Sequence, residues 1–192
     1  MDFFDDPIPL SELALQALQH SPEDAAVLAI TSQLDYVHQG NIKTSMSLAS
    51  RSVETDPTEP MGWALLSNAM TNAGRRREGY EAALRAIKLS GASPSRYYFE
   101  HFACMAAASL GAYDDAMLHA TMALRFRPDF VSARRYEVVL NLQRRDAAGA
   151  EMSISALRKH EPNFVPLEFL DPNYPVTTLR RLPLIDAIRQ RA

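Results

Sequence analysis

Apolar and small residues recur along this chain at helical spacing, in runs that come in pairs. Between Tyr97 and Pro128 one run carries Ala103, Cys104 and Ala107 and a second carries Ala116, Ala120 and Ala123, with Gly111 between them. Steps of three and four residues put each set on one helical face, and small side chains there let two backbones come close. About 34 residues beyond Pro128 stands Pro162, and the window between them repeats the layout with Ala150, Ile154 and Leu157. An earlier window closes at Pro57 and has Tyr36, Gly40, Ser45 and Ala49 in the corresponding places. The window opening at Pro60 has a turn at Gly74 and Gly79, Ala83 and Ala86 along its second run. A period of this length predicts stacked helix pairs.

The pattern places helices over Ala26–Gln39 and Ile42–Thr55, Met61–Ala73 and Arg76–Leu89, a pair after Pro94 and from Tyr113, and Phe130–Arg144 with Ala147–His160. Gly40-Asn41 reads as a turn, Asp146 as an N-cap, and Asp114 and Asp115 suit a positive helix N-terminus. Ahead of the repeats, Ser11 can cap a helix to His20 with Leu10, Leu13, Ala14, Ala17 and Leu18 on one face. Beyond Pro162 the periodicity stops. An irregular stretch to Pro175 is expected to press on the last pair through Phe164, Leu167, Phe169 and Leu170. Val176–Arg191 then reads as an amphipathic capping helix, interrupted at Leu182-Pro183, with Leu179, Leu182, Leu184, Ile185 and Ile188 inward. No segment alternates with period two, so no sheet is expected.

Trp63, Leu66 and Gly74, taken with the small-residue spacing, resemble the tetratricopeptide (TPR) repeat. The resemblance implies an all-α, TPR-like right-handed α-solenoid of about four helix-turn-helix repeats, over 26–59, 60–96, 97–130 and 131–164, with capping helices at both ends. The second repeat carries about three extra residues around Gly91-Ala-Ser-Pro94. We read residues 10–192 as a single TPR domain with its C-terminal cap over 165–192, preceded by a flexible acidic tail over 1–9. That tail could dock on a partner or back into the chain's own groove. The stretch DPNYPVTTLRRLPLIDAIRQ, with LRKHEPNF before it, resembles the C-terminal TPR region of bacterial winged-helix and adenylate-cyclase-type regulators. No winged-helix or cyclase domain precedes the repeats here, so the likeness implies a regulatory association and no DNA-binding or cyclase activity.

Composition narrows the classes. Hydrophobic residues make up 47% and charged residues 22% of 192, enough for a continuous core. The single cysteine, Cys104, excludes an internal disulfide framework and a cysteine-based zinc site. No secretion signal or membrane-length apolar run is present in the sequence, so a cytoplasmic setting and no membrane insertion are expected. The net charge of −3 is uneven: Met1–Arg96 has 8 basic and 12 acidic residues, and Tyr97–Ala192 has 12 and 11. That asymmetry is too mild to suggest nucleic acid.

Candidate chemistry is sparse. His101 and Cys104 share a helical face and could form a thiolate–imidazole pair or two metal ligands, but Cys104 falls where helices pack and would then be inert. No catalytic residue, metal site or cofactor is expected, since no phosphate-binding glycine loop, nucleophile elbow or zinc-protease motif occurs. Arg75, Arg76 and Arg77, and Arg144 and Arg145, fall at turns within two repeats and form a candidate secondary edge, either solvated charge or a docking rim.

The TPR resemblance further implies a concave groove lined by the first helix of each repeat. Carried onto this sequence, its places are Val27, Ile30, Leu34, Val37 and His38 in the first unit and Asn68, Thr71 and Asn72 in the second. The third unit supplies Tyr98, His101 and Met105, and the fourth Arg135, Val139 and Leu142. Val27, Ile30 and Leu34 could instead pack against the Ser11–His20 helix. With few cations there, a clamp for acidic chaperone tails is disfavoured, and a mostly neutral lining suits a peptide or amphipathic helix. The expected function is a non-enzymatic, regulatory protein-interaction adaptor. The alternatives are a small TPR chaperone for secreted proteins, or a detached regulatory subunit of a cyclase or transcription regulator. The partner is a protein or peptide, and a homodimer is compatible with the sequence.

Overall fold

The computed structural model describes residues 10–171 and 174, and within it the helical period is realised almost residue for residue. The described residues form α-helices and one short 3-10 helix, with no strand among them. They group into two compact units that divide at Gly91 and Ala92.

The first unit holds α1 (Leu10–His20), α2 (Ala25–Gln39), α3 (Ile42–Thr55), α4 (Pro60–Asn72) and α5 (Arg76–Ser90). Local chemistry sets these limits. Asp24 caps α2 by accepting from the Val27 N–H at 2.9 Å, and Gly40 ends it in the left-handed region at φ 66°. Asn41 caps α3 through the Thr44 N–H, while Glu59 accepts from the Met61 N–H ahead of Pro60 at the first position of α4.

Close approach then depends on small residues. Ser32 donates to the Ser45 carbonyl at 2.8 Å between α2 and α3, and Ser52 donates to the Ala25 carbonyl at 2.7 Å. A Cβ on Gly79 would lie 2.4 Å from Thr71 Oγ1 and 3.0 Å from the Ser67 carbonyl, so α4 and α5 meet there only because that side chain is hydrogen. Ala49, Leu66 and Ala69 form the centre of a core flanked by Met46, Val53, Trp63 and Met70.

The second unit holds α6 (Arg96–Leu110), α7 (Tyr113–Phe126), α8 (Val131–Gln143), α9 (Ala147–Leu157) and the 3-10 turn Pro166–Leu170. Ala103, Cys104 and Ala107 on α6 and Ala116, Ala120 and Ala123 on α7 have no exposed surface, as close helix pairing demands. Asp146 caps α9 by accepting from the Gly149 N–H. Helix α9 ends at Leu157, about a turn short of the expected His160. In the segment that follows, Phe164 and Phe169 are buried and stack edge to face at 5.1 Å, whereas Leu167 is 50% exposed.

The acidic tail over 1–9 and the capping helix over 176–191 lie outside the described residues, as do the side chains of Ser11 and His38 and nearly all of the regulator-like stretch. No described helix is long and apolar enough to cross a membrane.

Candidate functional site

Two helix faces collect the expected groove residues, one in each unit. In the first unit α2 and α4 run side by side, and a chain of hydrogen bonds links them. Tyr36 Oη donates to Asn72 Oδ1 at 2.7 Å, Asn72 Nδ2 donates to the Asn68 carbonyl and Oδ1 at 2.8 and 2.9 Å, and Asn68 Nδ2 donates to Gln33 Oε1 at 2.8 Å. Asn68 is buried, while Gln33 and Asn72 are half-buried, so the hidden amide orients two that reach the surface. Along the same side of α2, Ile30 is 51% and Val37 44% exposed, with Val27 and Leu34 half-covered. Ile30 therefore lies open to solvent, and α1 packs instead where Thr31 donates to the Ala14 carbonyl. Thr71 is placed elsewhere. Its buried hydroxyl faces Gly79 on α5 and has no hydrogen-bond partner.

In the second unit the corresponding face, α6 against α8, is turned inward. Tyr98 is half-buried beside Phe102, with rings 4.8 Å apart, and burial pushes its phenol up to about 12. His101 is enclosed by Phe130 at 5.1 Å and Tyr136 at 5.4 Å, both edge to face, and its Nδ1 has no hydrogen-bond partner. Burial first and the Arg135 charge second hold this imidazole down at about 4, so it is neutral at pH 7. Arg135 is itself engaged. Its Nε donates to Glu161 Oε1 at 3.0 Å, and its guanidinium lies 4.9 Å from the centre of the Tyr174 ring. Met105 is half-buried, Val139 has no exposed surface, and Leu142 lines a shallow hollow of about 500 Å³ with Ala150, Ile154 and Arg158. Val139 can only back this face from beneath.

The other expected chemistry resolves simply. Cys104 is fully buried, which raises its thiol well above the usual range and leaves no thiolate for catalysis or metal binding. No group of three His, Cys, Asp or Glu side chains that could hold a metal occurs among the described residues.

The arginine edges are exposed. Arg75 pairs with Glu78, Arg144 lies 3.6 Å from Asp114, and Arg145 takes a left-handed conformation at φ 57°. Sequence reasoning missed the hydrogen bonds of Gln33 and Tyr36 to α4 and the Glu100 pairing between α6 and α7. Glu100, nearly inaccessible, meets His119 Nδ1 at 2.7 Å and Arg96 Nε at 3.1 Å. The i,i+4 spacing of Arg96 and Glu100 was the only signal in the chain for that pairing.

Solved structures share this arrangement of helix pairs. TTC0263, a thermophilic TPR protein in Thermus thermophilus, superposes with a TM-score of 0.70 at 16% identity, covering 93% of this chain and 89% of its own. This chain has the TPR fold. PilW, a widely conserved type IV pilus biogenesis factor, gives 0.71 at 11% identity, over 93% of this chain and 80% of PilW. YrrB, a TPR protein with an unusual peptide-binding site, gives 0.59 at 12% identity over 94% and 92%. No family model and no curated protein matches the sequence.

Proposed function

We propose that this TPR-fold chain is a non-enzymatic interaction scaffold whose α2/α4 face takes an extended peptide segment of a partner protein. The amide chain carries the reading. Half-buried Gln33 and Asn72, oriented by Asn68 and Tyr36, offer a peptide backbone one group of each kind: the Gln33 amide nitrogen to donate and the second lone pair of Asn72 Oδ1 to accept. Beside them, Ile30, Leu34 and Val37 recur at helical spacing, each roughly 5–6 Å from the next, close to the ~7 Å between same-side residues of an extended chain. The peptide-binding YrrB supports the reading only through its shared fold. Tyr98 and Met105 offer a smaller second patch on α6, with His101, Arg135, Val139 and Leu142 as its packed support.

Peptides selected from a random display library against the full-length chain, then measured by calorimetry, test this. Asn72→Ala and Ile30→Asp each weaken binding about tenfold or more, the loss expected when a buried polar or apolar anchor is removed. Tyr98→Ala with Met105→Ala leaves it within about twofold. The opposite result moves the site to α6 and α8.

A further inference from the structure

The α2/α4 face carries opposite charge at its two ends. Gln33 meets Asn68 and Tyr36 meets Asn72, so the contacts climb both helices together and α2 and α4 run parallel. Their first turns therefore share one end of the face. There both helices are capped by carboxylates, Asp24 on α2 and Glu59 on α4, with Glu23 next to the first and Asp56 in the same turn as the second. Arg51 on α3 is already paired with Glu23 at 2.8 Å.

The far end has the other sign. Past Asn72 a tight turn, closed by the Arg75 N–H on the Met70 carbonyl at 2.9 Å, brings Arg75, Arg76 and Arg77 back beside the end of α4. Arg75 Nη1 lies 3.8 Å from Met46 Sδ, which sets Lys43, a turn earlier on α3, next to this cluster. Glu78 and Glu81 are the carboxylates of the same edge, and Glu78 is held by Arg75. Arg76, Arg77 and Lys43 are exposed and make no ion pair among the described residues. Between the two ends α4 has no charged side chain, and the one carboxylate of α2, Asp35, sits a turn beyond Thr31 on the side that faces α1.

We propose that the partner segment is polarised to match: an extended run with apolar side chains toward Ile30, Leu34 and Val37 that carries two or more Asp or Glu residues at one end only, the end lying against Arg76 and Arg77. This names the chemistry of the partner and rests on the α2/α4 reading above. The lengths agree. Ile30 to Val37 is about 10 Å along α2, some three steps of an extended chain at about 3.3 Å each, and two or three more cross the single helix spacing of about 8–10 Å to the turn after α4. Exposed charge pairs add modest affinity, but carboxylates at the wrong end would meet Asp24 and Glu59. The charges thus choose the direction of a segment that the amides and apolar contacts hold.

Peptides selected from a random display library against the full-length chain, measured by calorimetry, test this. They should carry Asp or Glu at one end of the apolar run and not at both, and Arg76→Glu with Arg77→Glu should weaken them about fivefold or more. Both arginines are exposed in the first turn of α5, where glutamate suits the helix N-terminus, so circular dichroism should show an unchanged fold. With the acidic residues of a selected peptide replaced by lysine the preference should invert, and the peptide should bind the charge-reversed protein more tightly than wild type. Selected peptides without an acidic end, affinity within about twofold on reversal, or no gain for the lysine peptide overturns the proposal. If Asn72→Ala and Ile30→Asp still weaken binding in that event, the α2/α4 reading stands and only the polarity is lost. Peptides indifferent to all four substitutions refute both.

Discussion

The α2/α4 face of the first unit and the α6/α8 face of the second occupy the same place in the TPR plan, yet they commit their polar groups in opposite directions. In the first unit the amides run from buried Asn68 outward to Gln33 and Asn72, beside open Ile30 and Val37. In the second unit His101 is sealed by aromatic rings, Arg135 is neutralised by Glu161, and Val139 lies beneath the surface. A shared repeat register therefore does not guarantee a shared site. What a helix position does depends on which larger side chains its neighbours bring over it.

The largest test of this contrast is Glu100→Ala in the second unit. It removes the buried carboxylate that the His119 imidazole and the Arg96 guanidinium share, and an expected loss of about 3–5 kcal/mol follows in chemical denaturation. Asn72→Ala in the first unit, at a half-exposed amide, costs only about 1 kcal/mol. Comparable losses would erase the distinction between an inward and an outward polar set.

Acid titration gives the next effect. The folded His101 stays neutral down to about 4, against an ordinary value of 6.5. As pH falls between those values, the unfolded chain takes a proton that the folded chain refuses, so stability drops, by on the order of 2–3 kcal/mol from this group. His101→Phe keeps the ring contacts and loses the titration, so its melting temperature should fall less than that of wild type between pH 7 and pH 4.5. Parallel curves would mean that the imidazole is not sealed.

Gly79→Ala probes the first unit's close packing. Alanine favours a free helix by about 1 kcal/mol. Here its Cβ meets the backbone of Ser67 and Thr71, so a net destabilisation of about 1–3 kcal/mol is expected in thermal melts. A stabilised variant would show that α4 and α5 can move apart.

The smallest effect belongs to the turns. Gly40, Gly74 and Gly111 hold the left-handed position between paired helices, at φ 66°, 84° and 85°, and Arg145 holds it at φ 57° in the last pair. Arg145→Gly should stabilise by roughly 0.5–1 kcal/mol, measured in the same way, because it relieves that conformation.

Much of the architecture was legible because its cause is local. Small residues at 3–4 spacing announce helix pairs, and Asn41, Asp146 and the turn glycines mark the ends through their own hydrogen bonds and backbone freedom. Ile30 and Asn72 were named as face positions only through the places that the TPR resemblance carries onto this sequence. Gln33 and Tyr36 were not, because their role depends on meeting Asn68 and Asn72 some 35 residues away, and nothing in a helical period specifies that contact. Thr71 was misplaced for a related reason. One step around a helix separates the groove from the α5 interface, and only the approach of Gly79 decides which side it takes.

The sequence by itself determined that this chain forms helix pairs, where each begins and, to within about a turn, where it ends, and which faces are small enough to pack, since these follow from periodicity and capping within a few residues. Only the tertiary structure decided which faces stay open. Exposure is a property of what arrives from distant helices: the rings of Phe130 and Tyr136 close over His101, and Glu161 comes back to Arg135, while nothing comparable covers Ile30 or Val37 among the described residues.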